Sequence, residues 1–131
     1  MTISKTFAIC SVALALSAVS ANAEGDAAAG EKVFKKCKAC HFVDSDKKKV
    51  GPTLQGVIGR TAGTVEGFKY SKVMVAAGED GLVWDDEALA GYLANPKKYM
   101  KGNKMSFAGL KKEDDLANVI AYLKQFTPAA E

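Results

Sequence analysis

Cys37-Lys38-Ala39-Cys40-His41 is the cluster in this sequence whose residue types and spacing could do chemistry. The pattern is C-x-x-C-H, the spacing of covalent c-type haem attachment. Two thiols three positions apart at the end of a helix can reach the two vinyl groups of one porphyrin and form thioethers. The adjacent histidine then lies under the iron as an axial ligand. Other readings ask for residues the chain lacks. A zinc site needs four ligands, and apart from Cys10 the chain has only these two cysteines and its single histidine. A thioredoxin-type C-x-x-C needs a βαβ setting, and no convincing β-run is visible. A disulfide between Cys37 and Cys40 would leave His41 without a role.

A second axial ligand must come from elsewhere. With one histidine, bis-histidine ligation is excluded. The remaining soft donor is methionine. Met74 sits within a helical pattern, where ordinary packing is expected of it. Met100 and Met105 both follow Pro96, and composition does not choose between them.

The elements that must position these residues come next. The chain has 131 residues, 48% apolar and 25% charged, a balance that fits one globular domain. Its start reads as a secretory signal peptide. Lys5 supplies the basic region, Phe7 to Ser20 the apolar region, and Ala21-Asn22-Ala23 a small-x-small cleavage site. The apolar region is shorter than the about 20 residues of a membrane span. An uncleaved membrane anchor, tethering the domain, is the alternative. Phe7-Ala8-Ile9 is a poor lipobox for Cys10, which is lost with residues 1–23. The domain expected in the periplasm is 24–131.

Within it, a first helix is expected over Asp26 to Lys38, with Asp26 as its cap. Further helices fit Ser71 to Ala77, Asp85 to Ala94 and Lys112 to Phe126. Pro96 is read as the stop after the third. Between the first two runs a stretch punctuated by Gly51, Gly56, Gly59, Gly63 and Gly67 has no period and is read as loop. So much irregular chain in a compact domain needs a reason. A large apolar cofactor, with the loops wrapped around it, is such a reason.

Charge is small in sum and uneven in distribution. A net charge of +3 is too weak a balance to argue nucleic-acid binding. From Pro96 to Lys112, however, lie Lys97, Lys98, Lys101, Lys104, Lys111 and Lys112 with no acid. From Thr61 to Asn95 the acids Glu66, Glu79, Asp80, Asp85, Asp86 and Glu87 outnumber the lysines. A one-sided basic patch steers acidic partners. A plain solvated lysine face is the other reading.

An ordered series of motifs resembles the class I c-type cytochromes, bacterial cytochrome c2 and mitochondrial cytochrome c above all. Gly30 and Phe34 precede Cys37 to His41. Gly51-Pro52-Thr53-Leu54-Gln55-Gly56, Gly59-Arg60 and Gly67-Phe68-Lys69-Tyr70 follow. Then come Trp84, Tyr92 to Tyr99, Lys104-Met105-Ser106-Phe107-Ala108-Gly109, and Ala121-Tyr122-Leu123-Lys124. The resemblance covers nearly all of the chain after residue 23. It implies an all-α fold of about four to five helices, with long loops wrapped around one covalently attached haem c. It implies attachment through Cys37 and Cys40, and iron ligation by His41 and Met105. Pro52 would accept a hydrogen bond from His41. Arg60, Tyr70 and Trp84 would hold the haem propionates, Tyr92 would sit beside the Met105 sulfur, and Phe107 would cover the haem. Gly30 and Phe34 would let the first and last helices cross closely, against Tyr122. As core aromatics, Trp84, Tyr92 and Phe107 have a plainer reading, and Arg60 has one as an exposed loop residue.

The sequence departs from that pattern in places. The segment from Tyr70 to Trp84 is longer than in the mitochondrial form and His41 to Gly51 shorter. Lys101 stands for a usual proline, and Asn103 for a usual threonine that contacts a propionate. Both changes are expected to loosen the Met105 side.

The function implied is that of a diffusible, monomeric one-electron carrier with no catalytic residue. Its donor would be a cytochrome bc1 complex and its acceptor a photosynthetic reaction centre or a terminal cytochrome oxidase. Lys36, Lys97, Lys98, Lys104, Lys111 and Lys112 would dock these partners in weak, salt-sensitive encounters. The rival is a haem peroxidase or gas-binding sensor that opens a labile Met105. The lack of a second histidine for acid–base chemistry argues against it.

Overall fold

The computed structural model describes residues 24–128. The expected signal peptide, with its cleavage site and Cys10, lies outside the described residues. Five α-helices follow one another: α1 (Ala27–Phe34), α2 (Lys72–Glu79), α3 (Asp86–Ala94), α4 (Pro96–Tyr99) and α5 (Glu113–Lys124). The described residues form no strand; Thr61 and Val83 make an isolated antiparallel bridge.

The helix starts are written locally. Asp26 Oδ1 accepts the amides of Ala28 at 2.8 Å and Ala29 at 3.3 Å. Ser71 Oγ accepts the Met74 amide at 3.2 Å, and Asp85 Oδ1 the Ala88 amide at 2.8 Å. Each such cap is worth about 1 kcal/mol. α5 has no side-chain cap, but Glu113, Asp114 and Asp115 fill its first turn and Lys124 its last. Those charges oppose the helix dipole at both ends.

Two boundaries differ from expectation. α1 ends at Phe34 rather than Lys38. Beyond it the chain tightens into successive turns, with Cys37 N bonded to Phe34 O at 2.8 Å and Cys40 N to Cys37 O at 3.1 Å. The short i+3 bonds rotate the two cysteines and the histidine away from the helix axis. Pro96, read as a stop, also begins α4. A proline costs little at the first helical position, where its missing N–H has no partner to lose. Asn95, with φ −160°, breaks the chain between α3 and α4, and its side chain caps the latter.

The two chain ends meet where α1 crosses α5. Gly30 lies against the Asn118 backbone and the Tyr122 Cβ. Phe34 and Tyr122 pack with ring centroids 5.3 Å apart. The Asn118 side chain accepts the Asp26 amide at 2.7 Å. Val33, Phe34, Val119, Ile120 and Leu123 are buried at this crossing. The long loop between α1 and α2 is tied down by backbone bonds to distant segments. Gly56 N reaches Phe126 O, Gly59 N reaches Trp84 O, and Ala62 N reaches Leu82 O, at 2.8 to 2.9 Å.

Gly30→Ala is expected to destabilise the protein by about 1–3 kcal/mol, the cost of overpacking. Alanine's better helix propensity returns at most about 1 kcal/mol, and the obstacle is backbone, which cannot swing aside. Denaturant unfolding of the two proteins measures the difference.

Candidate cofactor site

One cavity of about 250 Å³ is lined by Cys37, Cys40, His41, Pro52, Arg60, Tyr70, Trp84, Tyr92, Met105 and Phe107. The residues that the resemblance assigns to the haem therefore all line the same space. The wall between them is largely apolar, with Leu54, Val57, Phe68, Leu89 and Leu123 contributing.

The histidine side is built from the turns after α1 and the loop that follows. His41 N bonds to Cys37 O at 3.0 Å, and Gly51 N to Cys40 O at 2.8 Å. His41 Nδ1 stands 2.7 Å from the Pro52 carbonyl. A carbonyl only accepts, so Nδ1 carries the proton and Nε2 keeps its lone pair for a metal. Gly51 lies flat against the imidazole, and any side chain there would collide with the ring. Burial holds His41 below the ordinary imidazole pKa. The Pro52 bond pulls the other way, and the positive charges of Arg60 and Lys49 add to the lowering.

Both thiols are free. Burial pushes the Cys37 thiol up to about 11, against a smaller lowering by Lys36. Cys40 is exposed.

The methionine side is carried by the irregular segment after α4. The Met105 amide donates to Asn103 Oδ1 at 2.8 Å. The Tyr92 hydroxyl lies 3.9 Å from the Met105 sulfur and 3.4 Å from Asn103 Oδ1. Burial pushes that hydroxyl up to about 12, so it stays a donor. Tyr92 is held in turn by Trp84, with ring centroids 5.0 Å apart, and by Tyr99 at 5.9 Å. Asn103 is not loose: its amide nitrogen donates to Pro96 O at 2.9 Å and Met100 O at 2.8 Å. The expected loosening by Asn103 therefore has no counterpart in the local bonding.

The remaining polar groups are anchored to backbone. The Arg60 guanidinium donates to Thr53 O at 3.0 Å and Gln55 O at 3.3 Å. The Tyr70 hydroxyl accepts the Val65 amide at 3.1 Å.

Sequence reasoning left Met100 and Met105 level before the resemblance entered. The structure separates them: Met100 is buried in the core and is absent from the cavity wall. It also places Met74 on that wall, where the sequence suggested packing alone. The missed signal was the pairing of Ser71 with Met74. Residues three apart share one side of a helix start, and both line the cavity.

Among the described residues, no group of three His, Cys, Asp or Glu side chains comes together to hold a metal. The donors are instead an imidazole nitrogen and thioether sulfurs facing an apolar space. They fit a porphyrin iron, with two free thiols at hand for covalent attachment.

A small helical chain folded around such a space, with paired thiols, an imidazole and a thioether on its wall, defines a class of haem-carrying electron-transfer proteins. The family model for cytochrome c matches residues 27–127, and the chain belongs to the cytochrome c family, class I, whose members are electron carriers rather than enzymes. It is 52% identical over 100 residues to cytochrome c2 of Afifella marina, covering 76% of this chain and 81% of that protein. It is 55% identical over 101 residues to cytochrome c 2.1 of Caenorhabditis elegans, covering 76% and 88%. Among solved structures it is similar to cytochrome c2 from Rhodospirillum centenum, with TM-score 0.76, 46% identity, and 79% and 100% of the two chains covered. Membership implies a covalently bound haem c.

Proposed function

We propose that this protein is a periplasmic one-electron carrier that takes electrons from a cytochrome bc1-type complex. It passes them to a photosynthetic reaction centre or a terminal oxidase. Cytochrome c2 relatives support the carrier role, and the export signal read over residues 1–23 supports the compartment. No helix of the described residues is long and apolar enough to cross a membrane.

The observation that carries this reading is the presence of two iron donors, an imidazole and a thioether, on the lining of one cavity. His41 would hold the iron through Nε2 and Met105 through its sulfur, while Cys37 and Cys40 would anchor the ring. A haem bound in this way supplies a one-electron couple, with the potential raised by methionine. The chain does the rest. Pro52 fixes the tautomer and direction of His41. Tyr92 and Asn103 orient Met105. Two protein donors to the iron would leave oxygen and peroxide no place to bind. The same two donors would serve both charge states, so little would need to move when an electron passes.

Lys36, Lys97, Lys98, Lys104, Lys111 and Lys112 are exposed. Lys36 and Lys104 also line the cavity, which brings positive charge to its rim. Long-range attraction of an acidic partner speeds encounter, and salt screens it.

The first experiment is absorption spectroscopy of the oxidised and reduced protein, with and without carbon monoxide. A ferric thioether–iron charge-transfer band and no carbon monoxide uptake are expected. Prompt uptake without the band would overturn the carrier reading in favour of peroxidase or gas-sensing chemistry. Met105→Ala should abolish the band, admit carbon monoxide and lower the potential.

Charge reversal at Lys97 and Lys104 together should slow reaction with an acidic partner at low ionic strength. It should also flatten the salt dependence of the rate. Stopped-flow kinetics across a salt series measures both, and an unchanged salt slope would remove these lysines from the docking face.

A further inference from the structure

We infer that Asn103 is a positioning residue that locks the Met105 segment in place and so sets how hard Met105 is to displace from the iron. The inference rests on the reading of Met105 as ligand.

Met105 stands on chain that regular structure does not support. From Lys104 to Gly109 no backbone N–H donates to another backbone group among the described residues. The Met105 amide finds its partner in the Asn103 side chain, at 2.8 Å. The same side chain reaches back to α4. Its nitrogen donates to the carbonyls of Pro96 at 2.9 Å and Met100 at 2.8 Å. One carboxamide thereby links the carbonyls of the first residue and the C-cap of α4 to the amide of the ligand residue. Its oxygen also receives the Tyr92 hydroxyl at 3.4 Å, so the group that faces the Met105 sulfur is tied to the same hub.

Asparagine suits this place on hydrogen-bonding inventory. The Pro96 and Met100 carbonyls each already accept a backbone amide, from Met100 at 3.0 Å and Asn103 at 3.2 Å; the carboxamide gives each a second donor and gives the Met105 amide its acceptor, all from one short planar group. The network fixes which end is nitrogen, since carbonyls cannot donate. Threonine has one hydroxyl proton, so it can accept the Met105 amide in a local turn but cannot serve both carbonyls. Alanine serves none.

The consequence is a graded hold on the ligand. Imidazole competes with a methionine sulfur for ferric iron, and its apparent Kd reports how readily the sulfur leaves. Asn103→Ala should lower that Kd about tenfold or more, because several hydrogen bonds of about 1 kcal/mol are lost together. Asn103→Thr should fall between the two.

The test is an imidazole titration of the haem-loaded ferric proteins, followed by loss of the thioether–iron band. Global denaturant unfolding is measured in parallel. The ordering wild type, Thr, Ala, with unfolding midpoints that move far less than the Kd, supports the assignment. Equal Kd values in all three overturn it. So does a Kd that changes only in proportion to global stability, which marks a merely structural residue. If the alanine chain does not hold its fold, the threonine chain decides: an unchanged Kd overturns the assignment. Absence of the band from the wild type overturns the Met105 reading itself, so the two failures are told apart.

Discussion

The crossing of α1 and α5 at Gly30 is the contact on which the other segments depend. It brings the start and end of the described chain together through backbone and small groups rather than through a thick layer of side chains. Cys37 to His41 hang directly from the end of α1, so the crossing fixes where the thiols and imidazole begin. Phe126, just past α5, receives the Gly56 amide and steers the loop beyond Pro52. Two short helices thus set the position of one complete wall of the cavity.

Inside that frame, backbone does much of the polar work. Pro52 and Asn103 perform matching tasks on the two sides. One directs the imidazole through a carbonyl, the other holds the methionine residue through its amide. Arg60 and Tyr70 are likewise bound to main chain. No buried side-chain nitrogen or oxygen is left without a partner among the described residues. A largely apolar lining presents little to attract water. That suits a site whose chemistry is a change of charge.

Much of this was legible in the residues. C-x-x-C-H pointed to a covalently held haem, the cofactor that membership of the family implies. Asp26, Ser71 and Asp85 marked helix starts because a short polar side chain beside an apolar run has a local physical meaning. What escaped was set by tertiary contact. The early end of α1 reflects turns that serve the cysteines, and no residue type there forbids a longer helix. α4 was hidden behind a proline whose role depends on which side of it the helix lies. Met74 shares a helix side with Ser71, a spacing that fits ordinary core packing as well as a place on the cavity wall. The bonding of Asn103 ran against an expectation formed from residue type alone, because its carbonyl partners, Pro96 and Met100, are brought to it by the turn that follows α4.

The two walls of the cavity are built to different standards of rigidity. The histidine wall is continuous with the helix crossing and with a loop pinned at several distant points. The methionine wall is a segment with no backbone-to-backbone donation from Lys104 to Gly109, held by the side chains of Asn103, Tyr92 and Lys111. Local opening free energies follow such differences in bonding. The molecule therefore has a mechanical polarity, with a firm face on the histidine side of the cavity and a more yielding one on the methionine side.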